Sequence, residues 1–447
     1  MIKRVLSFIL CFCLLFAVVA CQDGSYQVDV GGDTAAQDTT SDTGGNGGSG
    51  GSSNGGSQGS GGTVQNKPFV PNRSGVIKIG MSAPITGAAS AYGMITSNAA
   101  KMAVDEINAA GGIYGMTVEL YVADDAHDAS KIQSNYNYFK EQGVQVSLGA
   151  VTSLPCIEFA RLAKNDNLFF LTPTASGDVI TESSNAYQMC FSDSRQGAAA
   201  AQFFNKNCKD KKIGLLYQAD QQYSTDIRAK FIEALDPSLK SNSLVEAFLF
   251  EGTGDLSNQI SILSDCDVIY MPMFYTSAAK FILQAKSTIS EDVIYYGSDG
   301  IDGIEYALGL DLDKIPQEIV MFSQFDFAAT QGPAADFMKS YIQRYGEVKS
   351  EYANTIFQFG ACAYDAVYAI ADALKVALEN GKNVTSYTSA SEMCEILKGV
   401  FNSGAFEFRG ITGACVDGER SHVRWNADGT VIKDVVAVSY SKGAKHE

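Results

Sequence analysis

The sequence predicts an α/β protein made of two doubly wound parallel-sheet units in tandem. From residue 76 to residue 172, short apolar segments of strand type alternate with segments of helical period. The same alternation restarts at Ile213. About 370 residues run from Gly75 to the end, too many for one ordinary domain and suited to two. Alternating strands and helices favour a parallel sheet with helices on both faces, and the restart indicates a second such sheet.

The first unit alternates predicted strands and helices throughout. Its clearest helix is 97–108, because Ala100, Ala103 and Ile107 share one face and the glycines of AAGGIYG then end it. The predicted strands of this unit are 76–81, 117–123, 144–149 and 168–172. The predicted helices are 97–108, 131–142 and one that follows Pro155.

The second unit repeats the pattern and then changes character. Its predicted strands are 213–217, 244–249, 268–272 and 293–296, and its predicted helices are 226–235, 256–263 and 277–287. A strand at 319–322 is followed by two helical tracts, 332–345 and 356–380, instead of a new unit. The end of the chain predicts a hairpin over 423–439, built on the turn Asn426–Gly429.

The first 75 residues predict an exported, lipid-anchored protein. MIKR followed by an apolar run up to Ala20 has the form of a secretory signal peptide, and a Cys directly after VVA is typical of a bacterial lipoprotein signal. Residues 1–20 would be removed and Cys21 would carry the lipid. An ordinary signal peptide and a membrane anchor are the alternatives, although the run is short for a membrane span. Residues 21–75, poor in apolar side chains, would form a disordered tether on the extracytoplasmic face of the cell membrane, on the periplasmic or the cell-wall side.

Composition argues against several classes of function. A net charge of −17 argues against nucleic acid and against a basic membrane-binding face. No cofactor and no metal are expected, because the three His are scattered and no CxxC occurs. Seven cysteines remain after Cys21, an odd number, which favours buried free thiols; a Cys394–Cys415 bridge is the alternative. The seven are Cys156, Cys190, Cys208, Cys266, Cys362, Cys394 and Cys415.

Polar and small residues follow the strands of the first unit. Because ligands bind at the carboxyl ends of parallel strands, these segments are the candidate site. Tyr92 follows the first strand, and Ser153 precedes a helix after the third strand. Thr174 and Ser176 follow the fourth strand in TPTASGD. A Ser at a helix start can bind an anion such as a carboxylate, although plain helix capping is the simpler interpretation for a lone Ser.

Aromatic residues and one carboxylate follow the strands of the second unit. They are Tyr223 in QADQQYSTD, Phe274 and Tyr275 in MPMFYTSA, and Asp299 in GSDGID. Two hydroxyl-rich segments would therefore face two aromatic segments and an acid. Such a set suits a zwitterion with an apolar side chain.

Seven segments, in order, resemble the type I periplasmic binding proteins of the leucine/isoleucine/valine-binding family, which serve branched-chain amino acid ABC importers. The segment INAAGGIYG followed by ADD is the most specific, and the resemblance covers nearly all of residues 76–440. The segments are IKIGMSAPITGAASAYG, AVDEINAAGGIYGMTVELYVADDAHD, GAVTSLPCIEFARLAKNDNLFFLTPTAS, YQADQQYSTD, DVIYMPMFYTSAAKFILQAKS, YYGSDG and YDAVYAIADAL.

The resemblance implies roles for the residues at the strand exits. Ser153 matches the Ser that binds the ligand α-carboxylate through its hydroxyl and nearby backbone N–H groups. Thr174 and Ser176 match the loop that grips the carboxylate and the ammonium, and Asp299 matches the acidic position that pairs with the ammonium. The aromatic positions around the pocket are matched by Tyr92, Tyr223 and either Phe274 or Tyr275. The stretch LPCIEF after Ser153 departs from the family, where relatives often show more small hydroxylic residues.

The resemblance also implies two lobes joined by a three-strand hinge, the Venus-flytrap arrangement. The chain would cross between lobes near Asp193, Gln324 and Asp434. Lobe 1 would then hold residues 76–193 plus 325–433, and lobe 2 residues 194–324 plus 434–447.

The implied function is that of a monomeric extracytoplasmic solute-binding lipoprotein of an ABC importer. It would capture an amino acid, branched-chain or similarly apolar, and deliver it to a membrane permease. The alternative is a ligand-sensing receptor component on the same fold that binds amides, urea-like molecules or aromatic acids. An enzyme is not expected, because residues 76–447 hold no GxSxG, Walker A or HExxH motif. The pair Asp124–Asp125 could act in acid/base chemistry, but a solvated strand end is favoured.

Overall fold

The computed structural model describes residues 73–446 apart from 88, 308, 328, 347–356, 414–418, 434–435 and 442–443. The predicted signal peptide, Cys21, Cys415 and the crossing near Asp434 lie outside the described residues. The predicted tether is described only from Arg73, whose guanidinium donates to the Val384 carbonyl at 2.8 Å.

The first part of the chain forms a parallel sheet with helices on its faces. Its five strands lie in the order β2-β1-β3-β4-β5, and every pairing is parallel. The elements are β1 Val76–Ala83, α1 Ser90–Ala109, β2 Thr117–Asp124, α2 Ile132–Gln142, β3 Val146–Ala150, α3 Ser153–Asp166, β4 Phe170–Thr172 and β5 Ala186–Gln188.

The middle of the chain builds a second parallel sheet. Its elements are α4 Asp193–Asn207, β6 Ile213–Gln218, α5 Gln222–Ala234, α6 Pro237–Asn242, β7 Leu244–Leu249, α7 Ser257–Leu263, β8 Val268–Met271, α8 Tyr275–Ala285, β9 Ile294–Gly297 and β10 Glu318–Ser323. The five strands lie in parallel in the order β7-β6-β8-β9-β10. The predicted fold class, two doubly wound parallel sheets, is confirmed.

The remaining elements pack against the first sheet, extend the second sheet or form a separate sheet of three strands. They are α9 Gly332–Tyr345, α10 Phe357–Glu379, α11 Ala390–Phe401, β11 Phe408–Gly410, β12 Ser421–Trp425, β13 Val431–Ile432, β14 Val436–Ser441 and β15 Ala444–His446. Helix α10 packs along α1 beside the first sheet, so closely that a Cβ added to Gly360 would lie 2.9 Å from Ile95 Cγ1. Strands β14 and β15 extend the second sheet in antiparallel order. We call the first sheet with its helices lobe 1 and the second lobe 2; the exact boundaries of 76–193, 325–433, 194–324 and 434–447 stay predictions.

The predicted terminal hairpin over 423–439 is wrong in its second half. The turn Asn426–Gly429 is present, with the Gly429 N–H donating to the Asn426 carbonyl at 3.0 Å, and β12 pairs antiparallel with β13. After Ile432, however, the chain leaves this small sheet, and β14 pairs with β10 in lobe 2. The apolar alternation that predicted one hairpin therefore serves two separate sheets.

Two helices differ from their predictions in instructive ways. Helix α1 begins at Ser90, seven residues before the predicted start, so Tyr92 lies in its first turn. Helix α3 begins at Ser153 instead of after Pro155, because a Pro in the first turn loses no helical hydrogen bond. As a result, Tyr92 and Ser153 each lie in the first turn of a helix whose N-terminus is next to the carboxyl ends of the strands.

The described cysteines are unpaired. Cys156, Cys190, Cys208, Cys266, Cys362 and Cys394 are all free and buried, so the alternative of a Cys394–Cys415 bridge is wrong. Within the described residues, no helix has both the length and the apolar character needed to cross a bilayer. In the same part of the chain, no group of three His, Cys, Asp or Glu is placed to hold a metal ion.

Candidate ligand-binding site

One pocket lies where the strand ends of the two lobes face each other. It has a volume of about 340 Å³, at the small end of the range for small-molecule sites. Of the eight residues that the sequence analysis singled out, seven line it and Tyr275 is not among the lining residues. The pocket is lined by Tyr92, Val151, Thr152, Ser153, Thr174, Ser176, Tyr223, Phe274, Asp299, Gly300 and Phe359.

The lobe 1 side of the pocket consists of hydroxyl groups and a helix start. Ser153 is the first residue of α3, and its Oγ accepts from the Ser176 backbone N–H at 3.3 Å. Thr174 donates to the Val151 carbonyl at 2.5 Å, which ties the segment after β4 to the segment after β3. The first N–H groups of a helix have no partner within it, so α3 presents them toward the pocket. This side can bind an anionic group without carrying a charge of its own.

The lobe 2 side carries a buried carboxylate. Asp299 follows β9 in a single 3₁₀ turn and is 3% exposed. Its Oδ1 accepts from the Tyr223 hydroxyl at 2.6 Å, and its Oδ2 accepts from the Gln324 amide at 3.4 Å. These partners are neutral, and burial raises the pKa of Asp299 to about 6. A cationic group delivered by a ligand would compensate this buried charge.

Aromatic rings occupy the space between the two polar sides. Phe274 and Tyr223 are stacked, with ring centroids 5.2 Å apart and an interplanar angle of 15°. Tyr92 lies 5.5 Å from the Phe274 ring and meets Phe359 edge-on at 5.1 Å. Tyr275 packs edge-on against Tyr92 at 5.7 Å, behind the pocket wall. These rings make the middle of the pocket apolar.

Tyr92 joins the two lobes directly. Its hydroxyl donates to the Gly300 carbonyl at 3.0 Å, across the pocket from α1 to the segment after β9. Burial raises the pKa of Tyr92 well above its ordinary value, so the phenol keeps its proton and stays a donor. A Cβ added to Gly300 would lie 2.7 Å from Tyr223 Oη, so only glycine fits here. Because the hydrogen bond from Tyr92 to Gly300 joins the two lobes across the pocket, the described structure is a closed arrangement of the lobes.

Sequence reasoning missed four lining residues. Phe359 comes from α10, a helix rather than a strand exit, so the rule that ligands lie at strand ends could not reveal it. Val151 and Thr152 stand directly before Ser153, and Gly300 stands directly after Asp299, so their positions beside candidate residues were the available signal. Together the four close the pocket around the predicted set.

Two doubly wound lobes with one pocket lined from both sides define a bilobed solute-binding protein. The family model described as periplasmic binding protein matches residues 76–438. The chain belongs to the periplasmic binding protein family. The prediction of a binding protein rather than an enzyme is thereby confirmed.

Individual relatives agree with this assignment. The Leu/Ile/Val-binding protein BraC3 of Rhizobium johnstonii is 29% identical over 253 residues, which cover 56% of this chain and 68% of the relative. Two further relatives are matched over less than two thirds of their own length.

Solved structures share the fold. The branched-chain amino acid transporter substrate binding protein LivJ of Streptococcus pneumoniae, in complex with isoleucine, superposes with a TM-score of 0.67 at 22% identity, covering 83% of this chain and 98% of LivJ. A solute binding protein of an ABC transporter from R. palustris, in complex with benzoate, gives a TM-score of 0.66 at 16% identity, covering 83% of this chain and 95% of that protein. The predicted type I periplasmic binding protein fold is confirmed by this likeness.

Proposed function

We propose that this chain is the solute-binding lipoprotein of an ABC importer for an amino acid with a branched-chain or similarly apolar side chain. Its partners would be that amino acid and the membrane permease that accepts it. The names of BraC3 and LivJ, which refer to Leu/Ile/Val and to branched-chain amino acids, support this ligand class.

One observation carries the proposal: the two poles of the pocket have opposite character and come from opposite lobes. The start of α3, with Ser153, Thr174 and Ser176, suits a carboxylate. Asp299, buried among neutral partners, suits an ammonium. The apolar rings between them suit a hydrophobic side chain. An α-amino acid is the smallest ligand that satisfies all three.

The two poles also explain how binding would be coupled to delivery. A zwitterion can contact both poles at once only when the lobes are closed, so its affinity for the closed form exceeds that for the open form. The ligand thereby shifts the population toward closure by a hinge motion between lobes. The permease would then recognise the closed form.

The lipid anchor belongs to the same proposal. Cys21 would carry the lipid, and residues 21–75 would tether the binding protein to the extracytoplasmic face of the membrane. The test is partitioning of the expressed protein into detergent phase. Cys21→Ser should move it to the aqueous phase, whereas Cys13→Ser, a change within the signal peptide, should not. Equal partitioning of both variants would refute the anchor.

The ligand is identified by a thermal-shift screen of the twenty amino acids on the chain from residue 22 onward. A ligand at 100 times its Kd stabilises the folded state by about 2.7 kcal/mol, which is an easily measured rise in Tm. Leu, Ile or Val should give the largest rise, and isothermal titration should then give a stoichiometry of one. A screen in which no amino acid raises the Tm would overturn the proposal.

The second candidate is a receptor component that binds an aromatic acid, favoured by the four rings in the pocket and by the benzoate complex of the R. palustris protein. The two candidates differ in the sign of their pH dependence. An amino acid needs Asp299 ionised, so its affinity should fall as pH falls through about 6. Benzoate has no ammonium and is repelled by that carboxylate, so its affinity should rise over the same range.

A further inference from the structure

His127 does not line the pocket, but its side chain contacts two residues that do, Thr152 and Phe274. It lies in the segment between β2 and α2, where Ala126 and His127 have φ values of 49° and 62°. Two consecutive non-glycine residues in the left-handed region are unusual and persist only where surrounding contacts hold them. This loop shape places the His127 ring between Thr152 and Phe274.

Two acidic side chains hold the loop in place. The buried Asp125 accepts from the Ser82 hydroxyl at 2.7 Å and from the His127 backbone N–H at 2.9 Å. Asp124 accepts from the backbone N–H groups of Ile85 and Ala126, at 2.9 and 2.8 Å. The backbone of His127 is thus fixed by hydrogen bonds within lobe 1. The left-handed backbone conformation at His127 in turn sets the direction of its imidazole ring.

On one side, the His127 ring meets the start of α3. Its Nδ1 shares a hydrogen bond of 2.9 Å with the Thr152 hydroxyl. Thr152 is the N-cap residue of α3, yet its side chain makes no capping bond. A capping oxygen accepts from the second or third N–H of the helix, and the third residue here is Pro155, which has none. The Thr152 hydroxyl is therefore available to His127, and the first N–H groups of α3 are left for a ligand.

On the other side, the same ring crosses to lobe 2. Its centroid lies 6.1 Å from that of Phe274, with an interplanar angle of 77°. Phe274 stacks on Tyr223, and Tyr223 donates to Asp299. One imidazole thus contacts Thr152 in lobe 1 and Phe274 in lobe 2, and Phe274 in turn stacks on the tyrosine that donates to Asp299.

We propose that His127 is a positioning residue for ligand binding, which orients the start of α3 through Thr152 and holds the closed lobes together through Phe274. The proposal rests on the proposed function, because the quantity it governs is the lifetime of the ligand complex. The contact with Phe274 exists only while the lobes are closed. His127 should therefore act mainly on the rate of ligand dissociation.

Two substitutions separate the two contacts. Thr152→Val removes the hydroxyl and keeps the ring contact. His127→Asn keeps an amide at the place of Nδ1, tolerates a positive φ, and loses the ring contact. From the worth of one hydrogen bond, Thr152→Val should weaken the Kd for L-leucine about fivefold. From the worth of one aromatic pair, His127→Asn should raise the dissociation rate about two- to tenfold, with association within about twofold of wild type.

The measurement is stopped-flow binding of L-leucine together with the Tm of the unliganded chain. Thr117→Val makes the same substitution at the exposed start of β2 and should behave as wild type. In a His127→Ala background, Thr152→Val should have no further effect on the Kd, since its partner is already gone.

Two outcomes would overturn the proposal. One is wild-type dissociation rates in both His127→Asn and Thr152→Val. The other is a lower unliganded Tm without any change in dissociation, which would make His127 only a loop-stabilising residue. Failure of the wild-type chain to bind any amino acid would instead refute the proposed function, and this inference with it. If the wild-type chain binds an amino acid and the His127 and Thr152 variants bind it with the same Kd and dissociation rate, only this inference is refuted.

Discussion

The two sides of the pocket differ in whether they are complete without a ligand. In lobe 1, the side chains of Ser153 and Thr174 already have backbone partners, and none of them is charged. In lobe 2, Asp299 is a buried acid, and its partners Tyr223, Gln324 and Gln196 are all neutral. Burying a charge without an opposite charge is unfavourable, as the raised pKa of Asp299 shows. The difference indicates that lobe 1 contributes neutral hydrogen-bond donors and the shape of the pocket. Lobe 2 contributes a buried carboxylate that a cationic group of the ligand would stabilise.

The strongest way to break this comparison is to remove the charge of Asp299. Asp299→Asn keeps the shape of the side chain, but the ligand ammonium then lies buried without a counter-charge. Losing one partner of a buried ion pair costs about 3–5 kcal/mol, so the Kd for the amino acid found in the screen should rise by two orders of magnitude or more. Titration calorimetry measures this. Asp292→Asn, the same change on the exposed segment before β9, is the control. A Kd within about threefold of wild type in Asp299→Asn would refute the ammonium role.

The pH dependence should separate the two sides next. With a pKa of about 6, Asp299 is mostly ionised at pH 7 and mostly protonated at pH 5. The neutral acid cannot pair with an ammonium, so affinity should fall about tenfold between pH 7 and pH 5. Binding measured at several pH values tests this, and in Asp299→Asn the residual affinity should not vary over that range. A flat profile in the wild type would contradict the prediction.

The unliganded protein should respond to pH with the opposite sign. The folded pKa of Asp299 lies above its ordinary value of 3.8, so its contribution to stability is fully present below 3.8 and is lost as pH rises through about 6. The Asp299 contribution is isolated by subtracting the free energy of unfolding of Asp299→Asn from that of wild type at each pH. This difference should favour wild type increasingly as pH falls from 7 toward 4. A difference independent of pH would show that Asp299 is not buried in the unliganded protein.

Tyr223→Phe tests the support of the acid and should have an intermediate effect. The Tyr223 hydroxyl donates to Asp299 Oδ1 and accepts from the Gly300 N–H at 2.8 Å, so its loss removes one hydrogen bond from each of two buried groups. Hydrogen bonds to charged groups are worth about 1.5–3 kcal/mol, which predicts a Kd roughly ten- to a hundredfold weaker. Tyr217→Phe on β6, where the ring is half-buried, serves as the control and should bind as wild type.

The smallest effect is expected on the lobe 1 side. Ser153→Ala removes one neutral hydroxyl, while the backbone N–H groups at the start of α3 remain for the carboxylate. One neutral hydrogen bond is worth about 1 kcal/mol, so the Kd should weaken about fivefold. If Ser153→Ala proves as damaging as Asp299→Asn in parallel titrations, the contrast between the two sides is wrong.

The sequence predicted the polar residues of the pocket better than the aromatic residues that pack around them. The rule of strand exits located Ser153, Thr174 and Asp299, because parallel strands necessarily end at the same edge of their sheet. It could not locate Phe359, which reaches the pocket from α10 through tertiary packing of that helix along α1. It also could not choose between Phe274 and Tyr275, since adjacent residues at a helix start differ only in direction.

The fold shows the same division between local pattern and tertiary contact. Most strands were predicted within two residues, because their apolar runs are short and bounded. Helix α4 was not among the predicted helices, and it contains Gly197, a poor helix former, in its first half. In the structure, a Cβ added to Gly197 would lie 2.5 Å from the Ile227 carbonyl, so the glycine permits α4 to pack against α5. A residue that weakens the local pattern is thus required by the packing.

The six free thiols within the described residues have a practical consequence. Burial raises the pKa of Cys156 to about 12 and that of Cys266 to about 11, so neither thiol forms the reactive thiolate while the chain is folded. Cys156 lies in lobe 1 and Cys266 in lobe 2. An alkylating reagent would consequently modify each thiol only in molecules in which the surrounding lobe has locally unfolded. The degree of alkylation at Cys156 and at Cys266, measured by mass spectrometry, would therefore report local opening of each lobe without any engineered cysteine.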